Sequence, residues 1–153
     1  MTDFFQIAFL IKLIAAAFGT LGFALLFKVR AKHLPFAVLC GLFTYAIYYT
    51  VLFFDGSLFA AAFLATVFTS IFAEISARIC RAPAILFLIP GTIPIVPGGD
   101  LYHTMRMLLS ENFSGSFEYL LGALMIGIGI AGGIVMMSVL ITLIFGKKRR
   151  FHH

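Results

Sequence analysis

Residues 82–102 read Ala-Pro-Ala-Ile-Leu-Phe-Leu-Ile-Pro-Gly-Thr-Ile-Pro-Ile-Val-Pro-Gly-Gly-Asp-Leu-Tyr, and how this stretch meets a membrane decides the fold. It is apolar enough to lie at membrane depth. Pro83, Pro90, Pro94 and Pro97, with Gly91, Gly98 and Gly99, nevertheless forbid a regular helix through its second half. Each proline deletes a backbone donor and crowds the carbonyl four residues back. Hydrocarbon offers the freed carbonyls no partner, so such a segment persists only where protein buries it or where it lines a wet cavity. Broken helices at membrane depth are where transporters hold substrates. The plainer reading is a kinked helix or re-entrant hairpin whose prolines only shape packing.

The rest of the chain agrees with a membrane setting. Of 153 residues, 62% are hydrophobic and only 11% charged, with a mean hydropathy of +1.10. No soluble domain of this size needs such a composition. The formal charge of +5 comes from cations in short runs between apolar spans, the pattern of juxtamembrane loops rather than of a nucleic-acid surface. Cys40 and Cys80 stand singly, so neither a zinc site nor a disulfide framework is indicated. No metal or cofactor is expected. Met1 to Phe5 lack the basic flank and cleavage site of a signal peptide, so the first span is expected to be retained. His152 and His153 resemble the remnant of a purification tag and are set aside.

At 1.5 Å per residue a core of about 30 Å needs some twenty apolar residues. Spans are therefore expected at about 4–27, 34–54, 58–80, 84–99 (the broken one) and 117–145, forming one transmembrane domain with a basic tail at 146–151. Asp55-Gly56-Ser57 is a tight turn. Leu101 to Asn112 carries a helical period, Leu101, Met105, Leu108 and Leu109 against His103, Arg106 and Ser110, which predicts a short interfacial helix. The fold expected is thus an all-α membrane protein of about five transmembrane helices.

Charge sets the orientation. With five crossings, Lys28, Arg30, Lys32, Arg78, Arg81 and Lys147 to Arg150 share one side, leaving Lys12 and Arg106 elsewhere; that side is expected to be cytoplasmic. A re-entrant stretch would put Lys147 to Arg150 outside, against the rule at its strongest cluster. The preferred topology has the N-terminus out and the C-terminus in, in a bacterial inner membrane.

Few side chains carry chemistry. Gly127-Ile-Gly129-Ile-Ala-Gly132 matches the dinucleotide fingerprint by letter, but it lies inside a continuous apolar helix instead of after a strand. Gly129 and Gly133, with Ala123 and Gly127 one turn back, have the small-xxx-small spacing of close helix packing, and so have Ala15 and Gly19. Ser70, Glu74 and Arg78 share a helical face, which makes an interfacial Glu74–Arg78 pair the plain reading. The functional alternative makes Glu74 a proton carrier and Arg78 an anion contact. Asp100 and His103 flank Tyr102 beyond the last proline, and a histidine there could follow a proton gradient, though a surface histidine is the simpler reading. Lys12 either snorkels to the nearer interface or serves as a cavity cation. Nothing in the sequence matches a hydrolase elbow, a zinc-protease helix or a phosphate loop, so no enzyme is expected.

On Arg78, Arg81-Ala82-Pro83, Ile89 to Gly98, Tyr102 and Met105, and on Gly22 to Phe27 with its basic loop, the chain resembles the threonine/serine exporter family, specifically its small membrane subunit. The resemblance covers nearly the whole sequence. It implies export of a small amino acid or of a dicarboxylate such as succinate, together with a larger partner subunit equivalent to the other half of fused exporters. A homo-oligomer would also complete a pathway that one short chain cannot enclose. Ion or proton gradients would drive it. The rival expectation is a scaffold subunit that stabilises its partner without transporting. On physical grounds the substrate carboxylate is expected at Gly91, Thr92, Gly98 and Gly99, with Tyr102 and Arg78 nearby, because Pro90 and Pro97 each stand where a half-helix can begin and expose amides.

Overall fold

The computed structural model describes residues 2–54 and 56–146, and the side chains of 9–54 and 56–143. Asp55, the basic tail from Lys147 and His152–His153 lie outside the described residues. Six α-helices follow one another: α1 (Thr2–Leu26), α2 (Leu34–Phe53), α3 (Leu58–Cys80), α4 (Ile85–Thr92), α5 (Gly98–Leu109) and α6 (Phe113–Gly146). Short 3₁₀ turns cover Ala31–His33 and Ile93–Ile95, and no strand occurs among the described residues. The outer faces carry exposed Leu10, Ile14, Phe18, Leu64, Ile75, Ile128 and Val135, an apolar jacket that lipid accepts and water does not. The chain is an all-α membrane protein.

Local chemistry explains most helix ends. Ser57 caps α3 by accepting the Ala60 amide at 3.1 Å, and Asn112 caps α6 through its side-chain oxygen on the Gly115 amide at 3.0 Å. Pro35 sits in the first turn of α2, where its missing donor is not needed. Three C-termini share one device. Lys28, Arg81 and Glu111 take left-handed backbone (φ 54°, 50° and 59°), and the next amide bonds back five residues, Val29 to Ala24, Ala82 to Ala77 and Asn112 to Met107. This is the Schellman ending, normally built on glycine. Here charged side chains occupy that place.

Contacts fix the direction of every helix. α1 and α2 are antiparallel, with Ala24 beside Ala37 at one end and Phe9 against Tyr49 at the other. α2 and α3 are antiparallel as well, pairing Phe43 with Phe72 and Thr44 with Thr69. α4 runs back antiparallel to α3, Phe87 clustering with Ala73 and Gly91 meeting Thr69. α6, however, runs parallel to α3: Gly122 lies beside Leu58, Gly129 against Phe59 and Ala62, and Gly133 against Thr66. Two parallel neighbours require the chain between them to return from one end of the bundle to the other. The broken stretch therefore traverses the bundle.

That traverse is made by α4, the Ile93–Ile95 turn and the start of α5, with α5 inclined 45° to the segment before the break. Val96 is extended, and α5 begins directly after Pro97 as the prolines lead one to expect. Pro90 does not begin a half-helix. It lies inside α4, which starts at Ile85 after Pro83, so its missing amide leaves a gap in a helix already under way. Beyond the break, α5 and the first turns of α6 form a hairpin joined by Ser116 Oγ donating to the Thr104 carbonyl at 3.0 Å and by the His103–Tyr119 stack. Because Gly122 is level with Leu58, this hairpin overhangs the α3 start by about 13 Å at 1.5 Å per residue.

Candidate functional site

The interior against which the broken span packs is unusually rich in hydroxyls. Thr20, Thr44, Thr66, Thr69, Ser70 and Ser76 are buried in α1 to α3, and Thr92 is buried in α4. Most donate to a carbonyl three or four residues back in their own helix, as Thr20 to Ala16, Thr66 to Ala62 and Ser70 to Thr66 do. Such back-bonding satisfies a polar atom where no water is at hand. Thr44 and Thr69 also meet across the α2–α3 contact at 2.6 Å while each lies 2.7 Å from a carbonyl of its own helix. A hydroxyl has one proton, so one of the two donates across the gap and gives up its own carbonyl.

Gly91 lies against this seam. A β-carbon there would come within 2.6 Å of Cys40 Sγ and 3.2 Å of the Thr69 methyl, so glycine is what lets α4 approach α2 and α3. Thr92 donates to the Ile89 carbonyl at 3.0 Å. Gly98 and Gly99 are different, for they are exposed at the start of α5 and meet no neighbour. The four residues expected to form one carboxylate cradle thus fall into a packed half and an open half. Tyr102 is largely exposed on the overhanging hairpin, and Asp100 beside Gly122 lies within electrostatic reach of Tyr48. His103 stacks on Tyr119 and meets Tyr102 edge-on. Glu74 and Arg78 pair at 2.9 Å at the opposite, basic end of α3, far along the bundle from Asp100.

The small residues also divide. Gly129 and Gly133 are tight against α3, where a β-carbon would sit within 2.9 Å of Ala62 and of Thr66 respectively. Gly127 and Gly19 meet nothing within the chain. Ala15 and Gly19 instead line a cleft of about 320 Å³ with Lys12, Ala16, Tyr45 and Pro94, between α1, α2 and the break. Lys12 places its ammonium 5.4 Å from the Tyr49 ring centre, which itself packs on Phe9 and Tyr45. Ring electrons favour an amine at the wall of an apolar span. A broken span, a cleft at the break and a cation in its wall are the parts of a substrate site in a membrane carrier.

The family model described as threonine/serine exporter matches residues 12–140. The chain belongs to the threonine/serine exporter family. That match runs from Lys12 itself to the last third of α6 and so takes in the cleft, the seam and the break of this exporter-family chain. No solved structure matches the chain. The family is one of transporters, in keeping with a sequence that offers no catalytic motif. The hydroxyl seam escaped the sequence reading, although Thr66, Thr69, Ala73 and Ser76 recur at helical spacing with Ala62 on one side of α3, and a small, polar face in an apolar helix is a readable sign of contact.

Proposed function

We propose that this chain is the small membrane subunit of a secondary exporter for carboxylate-bearing metabolites, threonine or serine or a dicarboxylate such as succinate, and that the substrate carboxylate is held at the break by Lys12. The cleft where Pro94 interrupts the traversing span, with a lysine in its wall, carries this reading. At about 320 Å³ it lies at the small end of ligand pockets, which run from roughly 300 to 1,000 Å³. Small metabolites suit that volume. Tyr45 in the cleft wall is placed to add a hydrogen bond, and Asp100, within electrostatic reach of Tyr48, is the carboxylate assigned to a coupled proton. The basic end of the bundle is assigned to the cytoplasm of a bacterial inner membrane, so that substrate leaves toward the α5–α6 hairpin. A larger partner subunit or a second copy closes the cleft.

Proteoliposomes loaded with labelled threonine or succinate, containing this chain with and without its larger partner, test the proposal. Efflux that needs both chains and falls with Lys12→Met is the expected result. Undiminished efflux with Lys12→Met in an assembled complex would leave the chain as a scaffold for its partner.

A further inference from the structure

A second cleft lies at the basic end, away from the proposed substrate site. It holds about 370 Å³ and is lined by Lys28, Arg30, Lys32 and Arg81, with His33 and the apolar Leu86. The four cations come from two loops, α1–α2 and α3–α4. None of the four is in an ion pair among the described residues, where the one ion pair joins Arg78 to Glu74. His33 is only 5% exposed, and its Nδ1 is the one buried side-chain nitrogen or oxygen among the described residues without a hydrogen-bond partner. Lys28 and Arg81 stand in the left-handed backbone described above, a conformation that β-carbon-bearing residues adopt only where the surroundings hold them. The starts of α2 and α4 also lie here, their positive ends offset by the negative ends of α1 and α3, so the field in the cleft is set by its side-chain cations.

We propose that this cleft binds the phosphate group of an anionic membrane phospholipid. Four cations without a carboxylate among them call for an anion of more than passing charge, and a phosphate diester offers two unesterified oxygens and further ester acceptors to several donors at once. The depth is right, because the loops close the membrane ends of α1 to α4. Exposed Leu26, Phe27, Ile79 and Ile85 flank the lining residues in sequence and offer an apolar track for acyl chains, which a freely diffusing anion would not need. An amino acid is a zwitterion whose ammonium offsets its carboxylate, so it gains little from four cations. The bound headgroup supplies the buried His33 nitrogen with a partner, directly or through a water it brings in, and ties the two loops together across the mouth.

The test uses the full chain in detergent, with phosphatidylglycerol, phosphatidylcholine or inorganic phosphate added, and the double variant Lys28→Asn/Arg81→Asn. Asparagine accepts left-handed backbone better than either native residue, so the variant removes two charges without straining the helix ends. Phosphatidylglycerol is expected to raise the melting temperature of the wild type by about 5 °C or more at saturation. Phosphatidylcholine should not, and the variant should bind phosphatidylglycerol about thirtyfold more weakly. Equal shifts with phosphatidylcholine, or an unchanged response in the variant, would overturn the proposal. A full shift with inorganic phosphate alone would replace it with a site for the free anion. Native mass spectrometry of the wild type from equimolar mixed lipid gives an independent reading: retention of one phosphatidylglycerol supports the site, and no preference over phosphatidylcholine overturns it.

Discussion

The exposed Lys12 rests its ammonium over the Tyr49 ring, and its place in the cleft wall is what the proposed function uses. If it holds the substrate carboxylate, Lys12→Met should weaken apparent affinity about tenfold or more, the loss of one charge-assisted hydrogen bond, while Lys12→Arg keeps most of it. Efflux titrations with the two variants would show the difference. Gly91 belongs to the opposite kind of residue, one that acts by being small. Gly91→Val forces side-chain atoms into Cys40 and Thr69, so we expect a loss of about 1–3 kcal/mol in stability and poor recovery of folded protein. Thermal unfolding in detergent measures it, and Cys40→Ala should return part of the loss by making room. The sequence made the glycine conspicuous but not its purpose. Its neighbours Cys40 and Thr69 lie about 50 and 20 positions away by count along the chain, and only the tertiary fold shows that the glycine packs against them.

At the level of helices, the pairing of α3 with α6 depends on two glycines one turn apart. Gly129→Leu or Gly133→Leu should separate these helices and lower the melting temperature, whereas Gly127→Leu, whose β-carbon would meet nothing within the chain, should leave the isolated chain unaffected. A drop for all three in the isolated chain would show that α6 is packed otherwise. The sequence made these helices legible because twenty or more apolar residues in a row leave few alternatives in lipid. It also made the break legible, since Pro97 and the paired glycines after it permit little else than a new helix start. Ends built on Lys28, Arg81 and Glu111 were illegible. The usual sign for such an end is glycine, and here the tertiary arrangement holds charged residues in that backbone conformation.

For the molecule as a whole, the parallel run of α3 and α6 predicts the labelling pattern of single cysteines in a background lacking Cys40 and Cys80. Positions 32 and 150 should react with an impermeant reagent from one side of the membrane, and positions 56 and 112 from the other. Reaction of 112 and 150 from the same side would mean that the broken stretch turns back and that α6 runs against α3. The candidate site was legible only in part at this scale. Pro94 and Lys12 are each visible as anomalies, but 82 positions separate them and nothing local announces that α1 lies beside the break.

With the broken stretch counted as a full crossing, the proposed topology has an odd number of traverses and puts the two ends of the polypeptide in different compartments. α1 begins at the hairpin end of the bundle and α6 finishes at the basic end. Two copies joined head to tail as one gene product could not both keep their native orientation through a short soluble linker; the linker would itself have to span the bilayer. A reporter that fluoresces only in a reducing compartment would light on one terminus and stay dark on the other. Any natural fusion of this unit to a second membrane unit inherits the same parity constraint.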